Sequence, residues 1–302
     1  MNIRSIQFLR TCLLLGSFLF LVGNALAQSD SDHTKKYNPT NEPYKLLWNV
    51  GVVSDYRSKG IDQTFGLPAF QFELGTVLPN NFYIGTWNSN VSTGAGYPGT
   101  FLETDVFGGW TAMVNDYFIN TGVYGVVFPG SNVANYVTSP VEPGMSSGLV
   151  HNGDVFFAVR KGPVMVQQNI TFTNAGNMVS PTGQSTAGSA YTNVLGIFPV
   201  NSWTWLDGAW SIVAHTGYQF INNYSAASYF DWKLGIQTKV DKDWTIDLLY
   251  IQTNAKGNCS IAATTAQPYC YNKYQYANGS VSGPSKNAGD AAIVLMIKIA
   301  NY

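Results

Sequence analysis

The sequence predicts an all-β fold, a closed antiparallel transmembrane β-barrel of about twelve strands with short turns at one end and long loops at the other. Three observations predict it. First, in Phe230–Gln252 apolar and polar residues alternate with a period of two: Phe230, Trp232, Leu234 and Ile236 against Asp231, Lys233, Gly235 and Gln237. After Asp241-Lys242-Asp243 the pattern restarts with Trp244, Ile246, Leu248 and Tyr250, so the stretch reads as a hairpin with one greasy and one charged face. Second, short and long connections alternate along the whole chain, as they do when all turns of one kind share one barrel end. Third, charged residues make up only 11% of the chain and aromatics 14%. Beyond the N-terminus no apolar run is long enough for a helical span, so a chain this poor in charge must hide surface in another way, and a closed barrel does that in lipid.

The elements follow in order. Arg4 and Arg10 precede the apolar run CLLLGSFLFLV, and Ala25-Leu26-Ala27 fits a small-residue cleavage site, so residues 1–27 read as a signal peptide. Residues 28–44 are polar and read as a flexible periplasmic leader. The barrel is expected over 45–302, with strands near 45–56, 68–78, 82–91, 100–110, 117–128, 153–161, 163–173, 190–199, 203–220, 228–240, 244–252 and 289–300. Short turns fall at 79–81, 113–116, 161–163, 199–202 and 241–243, and longer connections at 57–67, 92–99, 129–152, 174–189, 221–227 and 253–288. Large aromatics cluster near strand ends, among them Trp48, Tyr56, Phe82, Trp110, Tyr117, Phe128, Trp203, Trp205, Phe230, Trp244 and Tyr250. Membrane barrels place aromatic girdles there, so the greasy face is expected to meet lipid. In the last strand Ile293, Leu295, Ile297 and Ile299 oppose Lys298 in parity. The isoleucine side is therefore expected outside, Lys298 inside, and Asn301-Tyr302 bulged or frayed.

The stretch Asn49–Val91 resembles the start of the TorF-like porin family of bacterial outer-membrane proteins. The matching pieces are Ser54-Asp55-Tyr56-Arg57, Gly60-Ile61, Pro68-Ala69 and Gly85-Thr86-Trp87-Asn88-Ser89-Asn90. The resemblance covers the first three strands and implies a pore-like barrel in the bacterial outer membrane, with no particular solute.

Parity nominates an inner wall. Asp55 and Arg57 share the side of Asn49 and Gly51; Gln71 and Glu73 oppose Phe70, Phe72 and Leu74. Asp231, Lys233, Gln237, Lys239 and Asp247 form a mixed-charge patch joined by His215 and Gln219. The expected pore-lining set is thus Asp55, Arg57, Gln71, Glu73, His215, Asp231, Lys233, Lys239 and Asp247. Glu103 and Asp105 share parity with Phe101 and Phe107, which leaves strand 100–110 ambiguous, as is 82–91. The wall reads either as a polar screen for small hydrophilic solutes or ions diffusing passively, or as a salt-bridge network plugging a scaffold or adhesive barrel. A secreted soluble β-protein is a third reading, separable by detergent dependence.

Other classes fit less well. Removing Arg4 and Arg10 from 16 Lys+Arg leaves 14 against 17 Asp+Glu, a net charge of −3 that argues against nucleic-acid binding. Of three histidines, His33 lies in the leader, His151 in a loop, and His215 faces inward, so a lipid-facing hydrolytic triad is not expected. No cofactor or metal motif appears. Cys259 and Cys270 remain after the signal and are expected to form a disulfide in an oxidising compartment. The partners expected are outer-membrane lipid and small solutes, with oligomerisation left open.

Overall fold

A computed structural model of the chain describes residues 44–95, 97–132, 149, 151–203, 209–240, 243–276 and 280–301. The expected signal peptide, nearly all of the leader, most of loop 129–152, Trp205 and Tyr302 lie outside the described residues. The described residues form sixteen strands: β1 Lys45–Val53, β2 Arg57–Ser58, β3 Ile61–Asp62, β4 Ala69–Val77, β5 Phe82–Asn90, β6 Leu102–Val114, β7 Tyr117–Val127 and β8 His151–Lys161. They continue with β9 Val164–Thr171, β10 Ala190–Pro199, β11 Ala209–Phe220, β12 Tyr229–Lys239, β13 Trp244–Thr253, β14 Cys270–Gln275, β15 Val281–Asn287 and β16 Ala292–Ala300. Twelve of them close a barrel in the order β1-β16-β13-β12-β11-β10-β9-β8-β7-β6-β5-β4. Every neighbouring pair is antiparallel, and the ring closes where β1 meets β16 from Asn49↔Ala300 to Val53↔Met296. Closure gives each strand two partners and leaves no unpaired edge. The remaining strands form two small hairpins, β2-β3 and β14-β15, in the long loops.

The two-residue period sorts side chains as expected. Phe70, Phe72 and Leu74 of β4, Phe230, Trp232 and Leu234 of β12, and Ile293, Leu295 and Ile297 of β16 are exposed on the outer face. Ile293 is 72% exposed, which in water would be a large hydrophobic liability and in lipid is none. Between them Gln71, Glu73, Asp231, Gln237 and Asp247 turn inward and are buried. Thr238 departs from the pattern, being buried beside its partner Trp210 although it shares the parity of the outer face.

Inward glycines let interior rings lie flat on the wall. A Cβ on Gly85 would sit 2.5 Å from Phe107 Cζ, and one on Gly109 would sit 2.5 Å from Tyr83 Oη. This fixes the inward register of β5 and β6, which alternation alone left ambiguous: Tyr83 and Trp87 face in with Glu103, Asp105 and Phe107. Phe107 shares the acidic parity because it fills the space over a glycine, the aromatic rescue seen in barrel walls.

Several expectations need correction. β6 runs to Val114, so the turn is Asn115-Asp116, with Asn115 at φ 55°. Tyr56 and Phe128 belong to no outer girdle: Tyr56 packs against interior apolar clusters, and Phe128 stacks on Tyr97 at 3.8 Å between centroids. Asn301 is not frayed. Its side chain accepts from Trp48 N at 2.8 Å and donates to Leu46 O at 3.2 Å, tying the end of the chain to β1.

The two ends differ. Two-residue connections Asn115-Asp116 and Gly162-Pro163 lie at one end. The other end carries β2-β3, β14-β15 and short 3₁₀ turns over an apolar cluster that includes Ile61, Tyr224, Tyr229, Tyr269 and Ala288. A disulfide joins Cys259 to Cys270, Cα atoms 5.2 Å apart, at the base of the β14-β15 ribbon.

Candidate functional site: the lumen and its inward hairpin

The first long loop does not arch outward. The wall of β1 ends at Val53, and the chain turns into the barrel as the hairpin β2-β3, paired Arg57↔Asp62 and Ser58↔Ile61. Its turn, Lys59-Gly60, has φ of 48° and 80°, the two positive values that a tight hairpin of matching twist requires. Gly60 is also required by space, since a Cβ there would meet Thr253 Cγ2 at 2.4 Å and Asp231 Cβ at 2.9 Å. The tip therefore rests on β12 and β13.

Three groups of bonds hold the hairpin. Arg57 donates to Asp55 Oδ2 at 2.7 Å, to Asp290 O at 2.7 Å and to Ala288 O at 3.2 Å, and its guanidinium lies 3.7 Å from Asp62 Oδ2. Asp62 also pairs with Lys286 of β15, while its N–H donates to Ala288 O at 2.9 Å. Tyr56 donates to Glu103 Oε1 at 3.1 Å and sits edge-on to Trp87. Burial pushes the Asp62 carboxyl up, but Lys286 and Arg57 more than reverse this and hold it below the ordinary range. Burial pushes Asp55 up, and Arg57 only partly opposes it.

The expected site residues are placed as follows. Asp55 and Arg57 lie inside, but on the hairpin and not on the wall, because β1 ends two residues before Asp55. Gln71 and Glu73 are on the inner face of β4; Glu73 accepts from Asn49 across the strand pair, and Gln71 reaches Ser89 at 3.4 Å. Asp231 accepts from Tyr191 Oη at 2.8 Å and lies 3.2 Å from His215 Nδ1. Lys233 is cross-strand from His215. Asp247 accepts from Gln237 at 2.8 Å, and Lys239 lies near the short-turn end of β12. Lys298, buried as expected, interacts electrostatically with Asp247, Glu73 and Lys239.

The structure adds residues that the candidate set lacked. Asp154 of β8 is fully buried, accepts from Asn152 at 2.8 Å and from Tyr124, and lies 4.0 Å from Lys59 Nζ. The same ammonium lies 5.0 Å from the Tyr191 ring centroid. Asp154 sits in a segment with Phe156 and Ala158 on its own parity, a mixture that hides the inward face from pattern reading. Lys59 has no wall parity, since it belongs to a loop.

A family profile described as a bacterial protein of unknown function, Gcw_chp, matches residues 38–277. The chain belongs to this family. The match does not carry the TorF-like name suggested by residues 49–91. No curated protein matches the chain. Among solved structures, the KdgM porin in complex with disordered oligogalacturonate is 9% identical with a TM-score of 0.42, over 85% of this chain and 99% of that one. The NanC porin is 8% identical with a TM-score of 0.41, over 85% and 100%. A Pseudomonas aeruginosa FadL homologue is 11% identical with a TM-score of 0.38, over 86% and 90%. At these identities and TM-scores nothing about the ligand of this chain follows from them.

Proposed function

We propose that this protein is a bacterial outer-membrane channel for passive diffusion of small hydrophilic solutes. The carrying observation is the charged inner wall. It runs from Asp154 and Asp231 near the long-loop end, through Glu73 and His215, to Asp247, Lys298 and Lys239 near the short-turn end. Several buried carboxylate oxygens on or beside that path, Asp105 Oδ1, Glu103 Oε2, Asp247 Oδ2 and Asp55 Oδ1, make no hydrogen bond within the protein. A polar and charged inner face set against an apolar outer belt is the side-chain arrangement of a barrel that passes polar solutes. Residues 1–27 serve as the export signal and 28–44 as a periplasmic leader in this reading. The long loops face outward, and the apolar outer belt meets lipid.

A second reading has its own support. The β2-β3 hairpin lies inside the barrel beside an interior apolar cluster around Leu195, Val213, Leu249 and Val294, as a plugged scaffold would require. Planar-bilayer recording separates the two. The channel reading expects discrete conductance steps from folded wild-type protein, larger when the hairpin is released. If neither wild type nor a hairpin-released variant conducts, the scaffold reading replaces it.

A further inference from the structure

At the long-loop end of the lumen, three acids line one stretch of the inner wall. Glu103 and Asp105 lie two residues apart on the inner face of β6, and Asp154 lies on the inner face of β8, with β7 between them. Asp105 feels Glu103, Asp154 and Lys59 electrostatically. Two observations beyond the grouping's charge point to a cation. Asp105 is 7% exposed, and its Oδ1, like Glu103 Oε2, has no hydrogen-bond partner. The second is an ammonium already in place: Lys59, carried in by the hairpin, approaches Asp154 to 4.0 Å and the Tyr191 ring to 5.0 Å.

We infer that Glu103, Asp105 and Asp154, framed by Tyr56 and Tyr124, form a binding site for small organic amines, and that Lys59 is its tethered competitor. This inference rests on the channel reading and names the solute class. The chemistry favours an organic ammonium over a bare metal ion. Among the described residues no three acidic, histidine or cysteine groups come close enough to share one metal. The Tyr191 face under Lys59 suits a soft, weakly hydrated cation, and the lysine side chain is itself a primary alkylammonium. Tyr56 bonds Glu103 and Tyr124 bonds Asp154, so one carboxylate oxygen of each is oriented by a phenol. An incoming amine therefore meets preset acceptors and must displace Lys59 to reach Asp154. That displacement would loosen the tip of the hairpin, so binding and opening of the lumen are coupled.

The test uses the full folded chain in detergent, with putrescine as probe and calorimetric titration at low salt as readout. Lys59→Gln should bind putrescine at least tenfold more tightly than wild type. Adding Asp105→Asn to that variant should reverse the gain by at least tenfold. Equal affinity for wild type and Lys59→Gln, or a gain that survives Asp105→Asn, would overturn the inference. Should a variant not fold, wild type alone decides: saturating putrescine should speed hydrogen exchange at residues 57–62 at least tenfold, and unchanged exchange would overturn it. Absent conductance with amine binding intact would defeat the channel reading alone. Absent binding with conductance intact would defeat only this inference.

Discussion

Replacing Gly60 by valine should expel the hairpin and leave the barrel folded. At φ 80° an L-residue carries left-handed strain of about 1–2 kcal/mol, more for a branched side chain. The new Cβ would also lie 2.4 Å from Thr253 Cγ2 and 2.9 Å from Asp231 Cβ, and overpacking of this kind costs about 1–3 kcal/mol. Neither contact can relax cheaply, because both partners belong to wall strands held by ladders on two sides. The strain, about 2–5 kcal/mol together, falls on the docked hairpin, and at about 1.4 kcal/mol per tenfold it shifts docking by roughly 30-fold to several thousandfold. The assay is hydrogen exchange of the peptide 54–68 in detergent, with heat-modifiable gel mobility to report the barrel. The variant should exchange much faster at 54–68 while β4 to β13 stay protected. Gly162→Ala serves as control, having φ 57° but open space around its Cβ, in a turn at the opposite end. Wild-type protection of 54–68 in Gly60→Val would refute the reasoning that the tip is wedged against β12 and β13.

Other outcomes follow from the same structure. Asp62→Asn should weaken hairpin docking at neutral pH. Since the folded carboxyl lies below its ordinary value of 3.8, its contribution is present above that pH and lost as pH falls through the folded value; the acid-induced rise of exchange at 54–68 seen in wild type should therefore disappear in the variant, where the opposite dependence of Asp55 is left. Asp55, raised by burial, contributes in the opposite sense, so the Asp55→Asn variant should show the steeper acid loss. Replacing Lys233 and Lys239 by Glu should move the reversal potential toward cations, the more so at low salt; an unmoved potential in a conducting protein would remove both from the lumen wall. Cys259→Ser with Cys270→Ser should speed exchange across 255–288, within an upper bound of about 3 kcal/mol for a loop of this size, and leave barrel melting unchanged. A lowered barrel melting point would show that the ribbon supports the wall.

Much of the fold was legible in the residue order. Alternation in Phe230–Gln252 and the sorted loop lengths are consequences of strand geometry and barrel closure, both local or near-local, so they leave marks in the chain itself. The same holds for the inward placement of Gln71, Glu73, His215, Asp231, Lys233, Lys239 and Asp247, since one buried face fixes register for a whole strand. The Cys259–Cys270 bridge was read from composition and export alone. Where alternation failed, at β5 and β6, the cause was an aromatic ring filling the space over an inward glycine, a contact between neighbouring strands that single-strand parity cannot display.

What only the tertiary structure decided is the course of the loop after Val53. Ser54-Asp55-Tyr56-Arg57 and Gly60-Ile61 stood out as a motif, but their direction depends on partners far along the chain: Lys286, Ala288 and Asp290 for Arg57 and Asp62, Asp154 and Tyr191 for Lys59. A loop pointing out and a loop folded in have the same local pattern. Distant strands, brought together by closure, supply the acids and the apolar floor that make the inward course stable. For the same reason single-strand parity does not single out Asp154, and it assigns Asp55 to the wall. Sequence period determines which face of a strand a residue takes; only the closed ring determines what lies across the lumen from it.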